Sequence, residues 1–280
     1  MNTEKYEIKS HQSIELLKEL HILTRDGKLN QDSRRKLKQV YHLYNFILPL
    51  LEKIVQEQNK LVLVDHGAGK SYLGFILYDL FFKSLQVPAH VYGIETRDIL
   101  VEKSQALAEK LGFTGMSFLN VSVEQSTQSA LLPEKIDIVT ALHACNTATD
   151  DAITFALEKK VPYIVLVPCC QAEVASVLKK NKSQSLAKNV LTEIWRHPIH
   201  TREFGSQLTN VLRCLQLEAN GYQVSVTELI GWEHSMKNEL IIAQHNKDVA
   251  RGRARERLLE ILNTLGLEEL SGRFGKSTIN

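Results

Sequence analysis

Residues 61–71 read Leu-Val-Leu-Val-Asp-His-Gly-Ala-Gly-Lys-Ser, an apolar run that ends in an acid and is followed by two closely spaced glycines. We predict a buried strand up to Asp65, a tight turn through Gly67 and Gly69, and a helix that begins at Ser71. Glycine lets the backbone approach a ligand closely, and the positive end of a helix dipole favours a carboxylate or a phosphate. The segment therefore predicts a strand, a turn and a helix that together bind a ligand.

Short apolar runs alternate with helical stretches beyond this segment, which indicates βαβ units and a parallel sheet with helices on both faces. Two later strands, Val224–Ile230 and Glu239–Gln244, are separated by too few residues for a helical crossover, so we predict that they pair antiparallel. The fold class is α/β: a Rossmann-like sheet of seven strands, mostly parallel, with the last strands antiparallel. The other predicted strands are Leu61–Val64, Ala89–Ile94, Met116–Leu119, Ile136–Leu142 and Tyr163–Val167, and the predicted helices include Ser71–Leu85, Asp98–Leu111 and Asp150–Lys159.

Helical patterns are predicted before, within and after the region that forms the sheet. Before it, one helix should start after Asp32 or Ser33 and be kinked or broken at Pro49. Within it, a long helix at about Phe204–Asn220 should end at Gly221. The predicted domains are an N-terminal helical region at 1–58, the ligand-binding domain at 59–246 and a basic, helical C-terminal tail at 247–280.

The composition is that of an ordinary soluble globular protein. The 280 residues are 44% apolar and 24% charged, and a formal net charge of +2 does not by itself indicate a nucleic-acid-binding protein. The four cysteines form no C-x-x-C pair, and the polar N-terminus lacks the apolar core of a signal peptide. No apolar stretch reaches the roughly 18 residues that a membrane helix needs. We therefore expect a cytoplasmic protein with free thiols and no membrane partner.

The glycine turn has two competing functional interpretations. Residues 69–71, Gly-Lys-Ser, match the end of a phosphate-binding P-loop, but the glycine that this motif needs five positions earlier is Val64. The alternative is a turn that binds the methionine part of S-adenosylmethionine (SAM). In that case an acid should end the next strand, and Glu95 is placed there to accept hydrogen bonds from the two ribose hydroxyls of an adenosine. The sequence favours the SAM interpretation, and a purely structural turn stays open.

Three further motifs follow in order along the chain, and their sequences are LHACNTATD at 142–150, PCC at 168–170 and EHSMKN at 233–238. With the glycine turn, they resemble a class I SAM-dependent methyltransferase family with LHACG-x-ATD, PCC and EH-x-x-KN segments, which includes the methyltransferase domain of a glutathione-S-transferase-like protein. The set is similar, more distantly, to eukaryotic tRNA ribose 2′-O-methyltransferases. The resemblance covers about residues 34–245 and implies SAM as cofactor and RNA, either tRNA or rRNA, as substrate. Ser71 and Asn146 depart from it, because each stands where the family has glycine.

The resemblance also assigns the residues that bind the cofactor. It implies that the glycine turn holds the methionine part of SAM and that Glu95 takes the ribose hydroxyls. The Leu119–Ser122 region and Asp137 are expected to flank the adenine. The predicted cofactor-binding residues are Asp65, Gly67, Ala68, Gly69, Glu95, Thr96, Val121, Ser122 and Leu142.

The loops after the fourth and fifth strands are predicted to line the methyl-transfer pocket, because ligands of open parallel sheets bind at the carboxyl ends of the strands. The catalytic candidates are His143, Asn146, Cys169 and Cys170. His143 is suited to orienting or deprotonating the acceptor, although pocket lining with a bond to the backbone is the favoured alternative. The two cysteines act as nucleophiles only if the next helix activates them, and we favour small buried side chains instead. We expect no metal ion, because the spacing of His143 and the cysteines is not diagnostic.

Substrate contacts are predicted at Arg202, Lys237 and Asn238, of which the last two lie between the final strands. The other function class is a catalytically inactive scaffold with the SAM fold, which the departures at Ser71 and Asn146 favour. A P-loop nucleotide-binding protein is a further, less favoured alternative. A basic rim for RNA phosphates is predicted from Arg34, Arg35, Lys36, Lys38, Lys70 and Arg202.

Overall fold

The computed structural model describes residues 8–142, 147–168, 171–181, 193–194, 196–229 and 239–275. Its strands are β1 Leu61–His66, β2 Ala89–Glu95, β3 Met116–Asn120, β4 Ile138–Leu142, β5 Tyr163–Val167, β6 Tyr222–Glu228 and β7 Glu239–His245. Within the described residues they form one seven-stranded sheet in the order β3-β2-β1-β4-β5-β7-β6. Strand β1 is parallel to β2 and β4, β2 is parallel to β3, and β7 is antiparallel to β5. The predicted fold class is confirmed.

Helices connect the parallel strands, as crossovers between parallel neighbours require. In the described part of the chain, no helix combines the length and the apolar character needed to cross a membrane. The helices are α1 Ile14–Glu19, α2 Gln31–Gln58, α3 Tyr72–Leu80, α4 Asp98–Leu111, α5 Val123–Gln128, α6 Ala148–Glu158, α7 Glu173–Lys180, α8 Pro198–Ala219, α9 Arg251–Thr264 and α10 Ser271–Phe274.

The chain divides into two compact units. The described residues up to Leu142, with Glu228 and Leu229, belong to the first. Its central helix is α3, in which every residue from Leu73 to Leu80 is buried. A helix that is apolar around its whole circumference is stable only in a core. The sequence of α3 has this pattern, and the helix is buried accordingly.

Asp79 is the charged exception inside α3, and it anchors the N-terminal segment. Its carboxylate, which is fully buried, accepts the Ser13 N–H at 3.0 and 3.2 Å and also bonds to the Lys83 ammonium. The Ser13 hydroxyl in turn accepts the Leu16 N–H at 3.1 Å and so caps α1. The start of α1 is therefore held on α3 by a charge that is satisfied on all sides.

The expected start of α2 is wrong, and so is the expectation that Pro49 breaks the helix, whereas a kink at Pro49 stays a prediction. The helix begins at Gln31 rather than after Asp32 or Ser33, because the Asn30 side chain accepts the Ser33 N–H at 2.8 Å and serves as the cap. Pro49 does not end the helix, which runs on to Gln58. Proline removes one backbone hydrogen bond, but Pro49 is exposed, so water can solvate the carbonyl that loses its partner.

Two other helix boundaries also differ from the prediction. The helix expected at Ser71–Leu85 ends at Leu80, and a single 3-10 turn at Phe82–Ser84 follows. Helix α8 begins at Pro198, ahead of its predicted start, because proline suits the first helical position, where no N–H is needed. Its predicted end is confirmed, since Gly221 follows with a φ of 86°.

The second unit comprises the described residues from 147 to 227 and from 239 onward. Apolar side chains of α7, α8, α9 and α10 form a common core in it. Helices α7 and α8 approach so closely that a Cβ on Gly205 would lie 2.7 Å from the Cα of Ala175. Buried members of this core include Val174, Leu178, Leu212, Leu262 and Phe274.

Candidate functional site

The glycine turn leaves the end of β1 through three residues in the left-handed conformation. Gly67, Gly69 and Ser71 have φ values of 65°, 58° and 47°. The Ala68 N–H donates to the Ile94 carbonyl at 2.9 Å, which places the turn against the end of β2. Residues 67–69 remain partly exposed. The turn is therefore partly open to solvent, and its contact with a ligand stays a prediction.

Ser71 adopts a conformation that favours glycine, and its side chain points into the protein. It is fully buried, and its hydroxyl donates to Asp65 Oδ2 at 3.1 Å. A Cβ on Gly74 would lie only 2.5 Å from the Ser71 Oγ, so this hydroxyl packs directly against the first turn of α3. The replacement of glycine by Ser71 therefore adds an internal hydrogen bond and leaves the partly exposed face of the turn unobstructed.

Asp65 is the acid at which the predicted first strand ends, and it is buried. It accepts hydrogen bonds from Thr140 Oγ1 at 2.9 Å on β4 and from Ser71. Burial raises the pKa of Asp65 to about 6, although the hydrogen bonds from Thr140 and Ser71 lower it. Its carboxylate thus joins the glycine turn to β4, and a direct contact with a cofactor stays a prediction.

Glu95 ends β2 beside the glycine turn, as predicted. Its Oε2 accepts the Gly69 N–H at 2.8 Å, and its Oε1 accepts the Thr96 N–H at 3.0 Å. Arg97 adds its own N–H at 3.1 Å and two guanidinium donors, Nε to Oε1 at 2.9 Å and Nη2 to Oε2 at 3.0 Å. Burial raises the pKa of Glu95, but the Arg97 and Gly69 donors outweigh it and hold this pKa below its usual value.

Arg97 and His66 complete this site and were not predicted from the sequence. His66 is buried between Asp65 and the turn, and burial lowers its pKa to about 4 even though Glu95 is near. The ring is therefore neutral at physiological pH. The sequence did contain a feature that could have predicted the pairing of Arg97, namely a cation two residues after the acid that ends a strand.

The remaining cofactor candidates lie at the same edge of the sheet. Glu95 is in register with Asn120, so Val121 and Ser122 follow β3 at that edge, and Leu142 ends β4 there. Ser122 caps α5 by accepting the Gln125 N–H at 3.3 Å, while its own N–H donates to the Gln125 side chain at 3.1 Å. Its backbone and hydroxyl are therefore engaged in the cap.

The expectation that Asp137 flanks the adenine is wrong. Asp137 precedes β4, and its carboxylate accepts the Val62 N–H at 2.8 Å near the start of β1. In a parallel sheet this is the amino edge, opposite the edge at which the carboxyl ends of the strands gather.

Several predicted residues lie outside the described residues, namely His143, Asn146, Cys169, Cys170, Lys237 and Asn238. Arg202 lies on α8, where its exposed guanidinium donates to Glu203 Oε1 at 2.9 Å. Among the residues that the structure describes, no cluster of three His, Cys, Asp or Glu side chains is arranged to hold a metal ion.

The second unit contains a buried polar network centred on Arg213, which the sequence analysis missed. Arg213 is fully buried on α8 and binds Asp150 on α6 through Nε to Oδ1 at 2.7 Å and Nη2 to Oδ2 at 2.8 Å. Its Nη1 donates to Gln171 Oε1 at 2.7 Å and to Asn210 Oδ1 at 3.2 Å, and Asn210 donates to Glu239. The sequence feature that could have predicted this network is an arginine within the apolar stripe of α8.

The comparisons with known proteins agree with this architecture. A family model described as a methyltransferase domain matches residues 35–177, which is slightly more than half of the chain. The mouse glutathione S-transferase C-terminal domain-containing protein is 24% identical over 235 residues, which cover 78% of this chain and 34% of that protein. The chain thus spans about a third of the length of this relative.

Two solved methyltransferases are similar to this chain at low sequence identity. The magnesium protoporphyrin IX methyltransferase of Synechocystis PCC 6803 with bound SAM is 13% identical at a TM-score of 0.43, covering 83% of this chain and 90% of its own. An rRNA methylase from Streptococcus thermophilus is 9% identical at a TM-score of 0.39, covering 67% and 87%.

Proposed function

As this chain belongs to the family of methyltransferase domains, we propose that it is a SAM-dependent methyltransferase whose acceptor is RNA. The cofactor proposal rests on the hydrogen bond from the Gly69 N–H to Glu95 Oε2 at 2.8 Å, which joins the turn and the acid into one polar site. A ribose diol needs such a carboxylate, and the partly exposed turn beside it is where the methionine part of the cofactor would lie.

The same hydrogen bond disfavours a P-loop function. The Gly69 N–H, which a P-loop would aim at a phosphate, is directed at the Glu95 carboxylate. A polyphosphate in the turn would be repelled by this ionised neighbour. Ser71, the residue that favoured an inactive scaffold, turns its side chain towards Asp65 and leaves the face formed by residues 67–69 accessible.

In the proposal the chain orients two reactants at the carboxyl edge of the sheet. Glu95 and Thr96 lie beside the ribose, and the backbone of residues 67–69 lies along the methionine part. Asp65 fixes the turn through Ser71. Bound SAM supplies a methyl group on a positively charged sulfur, and the protein aligns the acceptor with it. Val121, Ser122 and Leu142 border the adenine, whereas His143, Asn146, Cys169 and Cys170 line the acceptor pocket.

Exposed cations in the first unit support RNA as the acceptor. Arg34, Arg35 and Lys38 are exposed near the start of α2. Lys70 follows the glycine turn and lines a cavity of about 350 Å³ together with Lys103, whereas Lys110 in the same lining is paired with Glu15 and Glu19. Cations at an open surface attract the phosphates of a nucleic acid through counterion release. Arg202, Lys237 and Asn238 are proposed as further substrate contacts.

Calorimetric titration with S-adenosylhomocysteine tests the cofactor site. Glu95→Gln should bind about ten- to a hundredfold more weakly than wild type, because hydrogen bonds to a charged acceptor contribute about 1.5–3 kcal/mol. Glu102→Gln, an exposed position on α4, is the matched control and should bind as wild type does. Binding of Mg-ATP without binding of S-adenosylhomocysteine would overturn the proposal in favour of a P-loop function.

Transfer from SAM with a radiolabelled methyl group to cellular RNA or protein tests the acceptor. We expect label that is sensitive to ribonuclease. Label that is sensitive to protease alone would refute RNA as the acceptor and leave the cofactor site intact. Cofactor binding without transfer to either pool would instead favour the inactive scaffold.

A further inference from the structure

Arg97 is paired with Glu95, whose carboxylate binds the ribose in the proposed function. Its guanidinium spans both oxygens of Glu95, with Nε 2.9 Å from Oε1 and Nη2 3.0 Å from Oε2. This is the two-pronged geometry in which arginine binds carboxylates most strongly. The pair therefore competes directly with any other donor that approaches Glu95.

Glu95 has little capacity for additional donors. An ionised carboxylate offers about four lone-pair positions. Three backbone N–H groups, those of Gly69, Thr96 and Arg97, already donate to it, as does the Thr96 hydroxyl at 3.4 Å, and the guanidinium adds two donors. A ribose diol would bring two more. Both hydroxyls can bind only after some of the present donors have left.

The guanidinium is the donor that can leave. The three N–H groups belong to the glycine turn and to the backbone between β2 and α4, so they move only if the fold moves. The Arg97 side chain is 64% exposed, whereas that of Glu95 is 8% exposed. A long side chain with that exposure can rotate into water, and the three N–H groups continue to bind the carboxylate when it does.

We propose that Arg97 and the ribose of the cofactor bind Glu95 in a mutually exclusive manner, so that Arg97 lowers the affinity for the cofactor and makes this affinity depend on salt. The inference rests on the proposed function, since it takes Glu95 as the ribose acceptor. Salt screens an exposed ion pair, so a higher ionic strength releases the carboxylate. An uncharged nucleoside should therefore bind more tightly as salt is added, which is opposite to the behaviour of a ligand held by charge.

Titration with adenosine, which carries no charge, tests this at 20 and 500 mM NaCl. Wild type should bind adenosine about two- to fivefold more tightly at high salt, because screening of the Arg97 charge weakens the competing pair. Arg97→Ala should bind at low salt with the higher affinity and lose the salt dependence. Arg97→Lys, which keeps the charge without the two-pronged geometry, should be intermediate.

Two controls isolate the ribose and the charge. Arg25→Ala removes an exposed arginine elsewhere in the first unit and should behave as wild type. The ligand 2′,3′-dideoxyadenosine has no ribose hydroxyls, so its affinity should not change between wild type and Arg97→Ala. Melting curves establish that each variant is folded.

The outcomes separate this inference from the proposed function. Adenosine binding that is equal or weaker in Arg97→Ala, with S-adenosylhomocysteine still bound, would overturn the role of Arg97 alone. If neither ligand binds to wild type or to Arg97→Ala at either salt concentration, both proposals fail. Equal gains in affinity for adenosine and the dideoxy ligand in Arg97→Ala would also overturn the role of Arg97. In that case the ribose hydroxyls would not be the groups that compete with its guanidinium.

Discussion

Asp65→Asn tests the electrostatic state of the glycine turn, because the wild-type carboxyl is buried between two hydroxyl groups. Burial raises the pKa of Asp65 from 3.8 to about 6. The folded protein thus holds this proton more tightly than the unfolded chain does. The carboxyl favours folding most below about pH 4, and this contribution is lost as the pH rises through about 6. The full loss corresponds to about 3 kcal/mol.

An asparagine carries no charge, so the stability of the variant should not fall in this way as the pH rises. It can keep its hydrogen bonds, because the hydroxyls of Ser71 and Thr140 can accept from an amide as well as donate to it. Between pH 4.5 and 7.5 the linkage relation gives a wild-type loss of about 2 kcal/mol. Urea unfolding at these two values should therefore show Asp65→Asn gaining about 2 kcal/mol relative to wild type as the pH rises.

Two comparisons make the result decisive. Burial also lowers the pKa of His66, to about 4, but both proteins contain this ring and its effect cancels in the difference. Asp26→Asn removes an exposed carboxylate and should show no such gain. A stability difference between wild type and Asp65→Asn that stays constant with pH would refute the reasoning.

The remaining predictions concern the second unit and are measured by urea unfolding. Arg213→Met should destabilise the protein by about 3–5 kcal/mol, because it leaves a buried carboxylate at Asp150 without its main partner. The double variant with Asp150→Leu should recover much of that loss. A loss below about 1 kcal/mol in Arg213→Met alone would contradict the importance of the network. Gly205→Ala should cost about 1–3 kcal/mol, because its Cβ would meet the α7 backbone at 2.7 Å. Gly252→Ala, with nothing within 4 Å, is its control; equal effects would contradict this explanation.

The fold was predictable because its main signals are local. Each predicted parallel strand is a short apolar run bounded by a helix, and Glu95 could be placed because it directly ends such a run. Parallel strands place their carboxyl ends at one edge, so the neighbourhood of Gly69 and Glu95 follows from topology alone. Asp137 was misplaced because it precedes a strand instead of following one.

The missed features depend on contacts between segments that are distant in the sequence. That Ser71 points inward is decided by Asp65 and the close packing of Gly74, and no property of serine alone predicts it. Pro49 was expected to kink or break α2, yet the helix continues past it, because the exposure of Pro49 makes the lost hydrogen bond tolerable. The pairing of Arg213 with Asp150 needed the packing of α8 against α6 to be known.

The Arg213 network also bears on what can be expressed as a fragment. The stretch that matches the methyltransferase-domain family ends at residue 177, and it contains Asp150 and Gln171 but not Arg213. A protein truncated there would keep an acid whose counter-charge lies beyond the cut. It would also lack β7, the antiparallel neighbour of β5, so a shortened chain for binding studies should extend through α8 and β7.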